Sequence, residues 1–204
     1  MTKLLIATNN PGKLREYAAL LAGLPLTLVS LAEAGVSAEV EENGATFAEN
    51  AMTKARVYCA RSGLPTLADD SGLEVDALGG APGVRSARYA GPGASDAERY
   101  RKLLDALGSR PAAERSARFR CVVALALPGG ELITADGVCE GQIGYAPRGE
   151  HGFGYDPVFF MPAIGLTMAE LAPEVKNRIS HRARAVMAIK PALRRLLTAA
   201  GGQR

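Results

Sequence analysis

Short apolar runs alternate with stretches of helical spacing along the first 75 residues. Lys3 to Ala7 reads as a short buried strand and Thr8 to Gly12 as a turn; Leu14, Tyr17, Ala18 and Leu21 then recur along one helix face. Leu26 to Val29 is a second strand about one helix length later, which predicts a parallel crossover. Thr46 and Glu49 form a T-x-x-E capping box over Phe47, Ala51, Ala55 and Tyr58, so a helix is expected there. Pro65 to Ala68 leads as a strand into Asp69-Asp70-Ser71-Gly72, and Leu73 to Val75 continues beyond it.

Gly79 to Gly93 is rich in glycine and proline and predicts a long surface loop, because apolar patterning resumes on both sides. Ser95 caps a helix through Leu107. Phe119 to Leu127 and Glu131 to Cys139 flank Pro128-Gly129-Gly130 and read as a hairpin, so the sheet is expected to be mixed. Val158 to Met161 is a further strand, and Ser180 to Ala199 a helix that Pro191 is expected to kink or split. Gly201 to Arg204 reads as a frayed end. With no repeat and no linker, residues 1–204 are expected to form one α/β domain.

A chain of 204 residues supports one sizeable core, or two lobes sharing one sheet. Its formal charge of +3 is too small to argue for general binding to nucleic acid or membranes. Cys59, Cys121 and Cys139 are odd in number and widely spaced, forming neither a zinc pattern nor a disulfide framework, so buried reduced thiols are expected. No apolar run approaches the length of a membrane span, and Leu4 to Ala7 is too short for a secretory segment, so a cytoplasmic protein is expected.

The candidate chemistry begins with charge. Lys176, Arg178, His181, Arg182 and Arg184 surround a predicted helix start, where cations are disfavoured unless an anion binds between them. Thr8-Asn9-Asn10-Pro11-Gly12-Lys13 suits a turn whose amides and lysine hold a phosphate, although an ordinary strand-to-helix connection has the same composition. No Walker A loop occurs anywhere. Asp69 and Asp70 lie where open α/β sheets place ligands, and neighbours on extended chain point opposite ways. One carboxylate can therefore serve as Mg2+ ligand or base while the other holds the loop; an Asx turn with solvated acids is the alternative. Glu41-Glu42 offers a second oxygen ligand, Glu49 is assigned to capping, and Lys54 shares a helix face with Asn50. Phe153-Gly154-Tyr155-Asp156-Pro157 offers a ring to stack on a nucleobase and polar groups to read its edge, or else a core aromatic beside a turn. Arg85, Arg88, Arg194 and Arg195 read as loop and surface charges, and neither a G-x-S-x-G elbow nor a Cys/His metal spacing is present.

Taken in order, these segments resemble the inosine triphosphate pyrophosphatase family. The likeness is carried by Thr8-Asn9-Asn10-x-x-Lys13, Glu42-x-Gly44-x-Thr46-Phe47-x-Glu49-Asn50-Ala51-x-x-Lys54-Ala55, Ala68-Asp69-Asp70-Ser71-Gly72-Leu73, Gly80-Ala81-Pro82-Gly83 and Ser86-Ala87-Arg88-Tyr89. Phe153-Gly154-Tyr155-Asp156-Pro157 and Lys176-Asn177-x-x-Ser180-His181-Arg182 complete it. The resemblance implies an elongated mixed central sheet flanked by helices, two lobes with the active site in the cleft between them, and a homodimer. It implies Mg2+-dependent hydrolysis of deaminated purine nucleoside triphosphates (ITP, dITP, XTP) to the monophosphate and pyrophosphate, with no stable nucleic-acid complex and no membrane.

Carried over by residue, the resemblance makes Asp70 the metal ligand and the base, with Glu42 a second metal ligand. Lys13, Lys54 and Lys176 grip the triphosphate. Ser71 and the segment Thr8, Asn9, Asn10, Pro11, Gly12 hold the nucleotide. Phe153 stacks on the purine, Gly154, Tyr155 and Asp156 shape its pocket, and His181 and Arg182 donate to the 6-oxo group. The rivals are a related pyrophosphatase acting on modified pyrimidine or methylated nucleotides, and a non-catalytic nucleotide-binding module.

Overall fold

The computed structural model describes residues 1–37 and 39–201. Strand β1 (Thr2–Ile6) buries Leu4, Leu5 and Ile6 alike, as a parallel strand covered on both faces does. Helix α1 (Pro11–Leu20) starts with Pro11 in its first turn, where the missing N–H removes no bond. Strand β2 (Leu26–Ser30) pairs parallel to β1, with Leu28 opposite Leu4. Helix α2 (Phe47–Ser62) begins where its capping signal predicts: the Thr46 hydroxyl accepts from the Glu49 amide, while the Glu49 carboxylate takes the Ala45 amide at 2.7 Å. Gly63, at φ 68°, closes it.

Strand β3 (Thr66–Val75) pairs parallel to β1 and runs unbroken through Asp69-Asp70-Ser71-Gly72, so the alternative of an Asx turn does not occur. Two 3₁₀ turns, Asp76–Leu78 and Gly83–Arg88, give the expected loop its structure. Helix α3 (Asp96–Leu107) follows under a full Ser95/Glu98 capping box. Strands β4 (Ser116–Ala126) and β5 (Leu132–Ile143) form the expected hairpin, closed by the Leu127 amide on the Glu131 carbonyl at 2.9 Å. A 3₁₀ turn at Asp156–Val158 delays the next strand, β6 (Phe159–Met161), which pairs antiparallel with β5 and with β7 (Leu166–Thr167). Helices α4 (Pro173–Ile179) and α5 (His181–Gly201) end the chain. Gly201 is helical, and the rest of the expected frayed end lies outside the described residues.

The seven strands form one mixed sheet in the order β2-β1-β3-β4-β5-β6-β7. The chain divides into two compact units, 1–70 with 121–137 and 182–204, and 71–120 with 138–181, so the division falls inside β3, β4 and β5. Each unit has its own core. In the first, Leu4, Ile6, Leu67, Val123 and Leu125 from the strands pack with Tyr17 of α1 and Val186, Ile189 and Leu193 of α5. In the second, Leu73, Phe119 and Phe159 pack with Leu103 and Leu107 of α3, Val158 and Met168. Cys59, Cys121 and Cys139 are buried and unbridged, as their spacing suggests. Among the described residues no helix is long and apolar enough to cross a membrane.

Two expectations near the C-terminus are revised. Lys176 and Arg178 belong to the last turn of the separate helix α4, the end where cations are favoured, leaving Arg182 and Arg184 in the first turn of α5. Of the expected kink or split at Pro191, the split does not occur: α5 runs as one helix through it. Pro191 and Met187, whose carbonyl loses its i+4 donor, are both exposed residues. Restoring the donor with Pro191→Ala is expected to stabilise the protein by about 1–3 kcal/mol, read as a higher urea midpoint; a lower midpoint would contradict this account of the proline.

Candidate active site

In the first unit, β3 carries two carboxylates side by side. Strand alternation sends Asp69 and Asp70 to opposite faces, and both are buried, at 1% and 6% exposure. The Asp69 Oδ2 receives the Lys13 ammonium at 2.9 Å, the Arg182 guanidinium at 3.1 Å and, more weakly, the Cys121 thiol at 3.8 Å. Arg182 also pairs with Glu16 of α1. Burial raises the Asp69 pKa, but Lys13, Arg182 and Lys54 outweigh it and hold the carboxyl far below the usual carboxylate range.

Asp70 has the opposite balance. Burial pushes its carboxyl up, with the Glu42 charge adding to the rise and Lys54 and the Asn50 amide only partly offsetting it. Asn50 Nδ2 donates to Asp70 Oδ2 at 2.9 Å. Lys54, one turn further along α2, pairs with Glu42 and donates to the Asp69 main-chain carbonyl at 2.6 Å. Burial lowers the Lys54 pKa, yet Asp69, Glu42 and Asp70 together raise it, so it stays a cation.

The segment Thr8–Lys13 is organised by its own side chains. Asn10 Oδ1 accepts the Gly12 and Lys13 amides at 2.8 and 3.1 Å, and the Thr8 hydroxyl accepts the Asn10 amide at 3.1 Å. The two helix-start amides that the sequence offers to a phosphate are therefore taken by Asn10. The cations are compensated in the same way: Lys13, Lys54 and Arg182 pair with three carboxylates, those of Glu16, Glu42 and Asp69, and the charge of Asp70 adds to them through its influence on Lys54. The excess of positive charge read from the sequence is not found in this cluster.

That donor set fits a hard divalent cation. Among the described residues no three His, Cys, Asp or Glu side chains gather into a cage. The Glu42 charge nevertheless lies close enough to Asp70 to raise its proton affinity, and Mg2+ usually takes one or two carboxylates with phosphates and water completing its shell. A cation there also removes the negative excess that would repel a triphosphate.

In the second unit, Asp156 Oδ2 accepts the Phe153 amide at 2.8 Å and the Lys176 ammonium at 2.5 Å, and that ammonium lies 4.8 Å from the centre of the Phe153 ring. Gly152, at φ +79°, adjoins this cluster: a Cβ there would fall 2.0 Å from Asp156 Oδ2. The Gly154 amide donates to Asp96 Oδ2 at 2.6 Å, and the Tyr155 hydroxyl to the Ser86 carbonyl at 2.9 Å. His181 is buried with its ring stacked on Phe119, centroids 4.8 Å apart. Ser71 is half-buried on β3, immediately after Asp70.

The structure thus gathers Lys13, Lys54, Glu42, Asp70 and Arg182 in the first unit, and Phe153, Gly154, Tyr155, Asp156, Lys176 and His181 in the second. Lys176, read from the sequence as a phosphate grip, is held by Asp156 and Phe153; Arg182, read as a base donor, is held by Asp69 and Glu16. Sequence reasoning missed Glu16, Gly152 and the central place of Asp69. Only Gly152 had a local signal, the pair of glycines flanking Phe153.

Buried carboxylates among lysines in one unit, and an aromatic, glycine-rich loop in the other, define an α/β enzyme of nucleotide chemistry. The Ham1 family model matches residues 4–192, and the chain belongs to that family. A dITP/XTP pyrophosphatase of Geobacter sulfurreducens is 56% identical over 190 residues, covering 93% of this chain and 96% of its own. Another, from Geobacillus kaustophilus, is 53% identical over 91% of each chain. A HAM1 protein from Coxiella burnetii is 45% identical with a TM-score of 0.86, covering 96% of this chain and 100% of its own. A nucleoside-triphosphatase / dITP/XTP pyrophosphatase from Mycobacterium abscessus is 44% identical, with a TM-score of 0.75 over 94% and 100%. The resemblance read from the motifs is borne out.

The two aspartates are expected to respond oppositely to amidation. Asp69, with its lowered folded pKa, contributes stability that is present above the unfolded value of about 3.9 and is lost as pH falls through the folded value. Asp69→Asn leaves Lys13 and Arg182 without their shared counter-charge and is expected to destabilise by about 3–5 kcal/mol. Asp70, with its raised pKa, contributes stability below the unfolded value that is lost as pH rises through the folded value. Asp70→Asn is therefore expected to raise the thermal midpoint at pH 7, a gain that vanishes in acid. Equal losses in both variants would contradict the assignment.

Proposed function

We propose that this protein hydrolyses the deaminated purine nucleoside triphosphates ITP, dITP and XTP to the monophosphate and pyrophosphate, in the cytoplasm and with Mg2+. The reading rests on one observation above all: Asp70, a buried carboxylate of raised proton affinity, is held beside Glu42 and Lys54 in a chain with relatives named dITP/XTP pyrophosphatase. Nucleotide pyrophosphatases generally use a divalent metal, and Asp70 and Glu42 are the residues that would hold it here.

When bound, Mg2+ neutralises phosphate charge and aligns its oxygens. Asp70 accepts the proton of an attacking water. The water oxygen bonds to the α-phosphorus, the bond from that phosphorus to the bridging oxygen breaks, and pyrophosphate leaves with the electron pair. Lys13 and Lys54 exchange part of their contact with Asp69 and Glu42 for phosphate oxygens and stabilise the departing charge. Thr8 to Gly12 and Ser71 hold the nucleotide.

On the base side, Phe153 stacks on the purine and Lys176 keeps Asp156 and Phe153 in place. His181 donates to the 6-oxo group, whereas Arg182 acts through Asp69 to position Lys13. A 6-amino purine presents a donor to a donor, leaves it unpaired, and is rejected. A homodimer, which the motif resemblance implies, is the assembly we expect.

Incubation with ITP, dITP, XTP, ATP, GTP and dTTP, with Mg2+ or excess EDTA, tests this reading when the products are resolved chromatographically. Metal-dependent release of monophosphate and pyrophosphate from the deaminated purines is expected, with ATP barely touched. Asp70→Asn is expected to lower kcat by about 10²–10⁴-fold, and His181→Ala to narrow the gap between ITP and ATP. Orthophosphate with a nucleoside diphosphate as products, or turnover in EDTA, would overturn it.

A further inference from the structure

The geometry points to Asn50 as a positioning residue for Asp70, with Gly44 setting its orientation; the inference rests on the proposed role of Asp70 in hydrolysis. Asn50 is 2% exposed on α2 and spends both ends of its side-chain amide on this one purpose. Its Nδ2 donates to Asp70 Oδ2 at 2.9 Å, and its Oδ1 accepts the Gly44 amide at 2.8 Å. A backbone N–H can only donate, so Gly44 must face the amide oxygen, which leaves the NH₂ group pointing at the carboxylate. Gly44 thereby decides that Asp70 meets a donor.

A carboxylate rotates easily about its last torsion, because that sp³–sp² barrier is low and broad. The hydrogen bond from Asn50 removes this freedom and fixes which way the Asp70 oxygens point. The same helix face repeats the device one turn on, where Lys54 holds Glu42. Glu42 precedes Gly44 by two residues, so residues 42–44 and β3 are tied to one helix by two side chains, the neutral Asn50 and the charged Lys54.

The space at Gly44 supports this reading independently. A Cβ added there would lie 2.7 Å from Asn50 Oδ1 and 2.8 Å from Glu49 Cβ. Glu49 cannot yield without loss, since it caps α2 through the Ala45 amide. A methyl group at position 44 therefore presses on Asn50, and through Asn50 shifts Asp70. Two residues outside the substrate contacts acquire one function between them.

The test uses the full chain carrying Asn50→Ala, Gly44→Ala or both, and Asn50→Asp as a near-isosteric exchange of donor for acceptor. For dITP with Mg2+, kcat is expected to fall about 10–100-fold in each, with KM within about twofold and the double variant no worse than Asn50→Ala. Asn50→Asp, which cannot offer the donor, is expected to be at least as impaired as Asn50→Ala. A readout free of turnover is Mn2+ binding, followed by loss of the free-ion EPR signal; it is expected to weaken about tenfold in the variants. Unchanged kcat and Mn2+ affinity in Asn50→Ala, or additive losses that track thermal midpoints, would overturn the inference. A wild-type protein inactive on all the triphosphates sinks the functional reading instead, and the Mn2+ titration then decides the role of Asn50 by itself.

Discussion

The buried carboxylate of Asp69 is the interaction on which the first unit depends. It lies in the middle of β3 and takes Lys13 from α1 and Arg182 from α5, while its own carbonyl takes Lys54 from α2. Removing two or three cations from water is unfavourable unless each finds a counter-charge at hydrogen-bonding distance. The Asp69 side chain meets that requirement for Lys13 and Arg182, and its main-chain oxygen adds a neutral acceptor to Lys54, whose counter-charge is Glu42. The helices are thereby set by polar as well as apolar contacts, and the lysines reach the site as cations held in fixed positions.

Asp70, its neighbour, is arranged the other way. It has a neutral donor in Asn50 and a like charge in Glu42, and burial works against its ionisation. Two identical side chains joined by a peptide bond thus acquire opposite proton affinities, because the strand sends them to opposite faces. The division suits the proposed chemistry. A carboxylate whose charge is fully compensated makes a poor base but a firm anchor, whereas one left partly uncompensated attracts a divalent cation or a proton.

Legibility from sequence followed the range of the forces involved. β1, α2 and α3 were readable because their signals are local: an apolar run and the capping pairs Thr46/Glu49 and Ser95/Glu98; α1 was readable from Leu14, Tyr17, Ala18 and Leu21, but it begins earlier, at Pro11 inside the expected turn. The unbroken course of β3 was not, since Asp, Ser and Gly are depleted in strands and only the distant partners Lys13 and Arg182 make Asp69 tolerable there. The same distance hid the pairing of Arg182, 113 residues from Asp69, so the cluster of cations looked uncompensated. Helix α4, at seven residues, and strand β7, at two, are too short to leave a period, although Pro173 and Glu174 mark the start of α4. In the second unit the Phe153 to Asp156 motif was visible as a string of letters; that Lys176 serves it became visible only in three dimensions.

The central claim is that the two adjacent aspartates are tuned apart, Asp69 as a permanent anion and Asp70 as the group that takes up a proton or a metal. Carbon-detected NMR titration of the side-chain carboxyls, assigned at both positions in the metal-free protein, measures this directly. The account predicts that the Asp69 resonance stays at its ionised position until the protein unfolds in acid, while Asp70 titrates above the ordinary value of about 3.9. An Asp69 that titrates normally, or an Asp70 that remains ionised below that value, would contradict it.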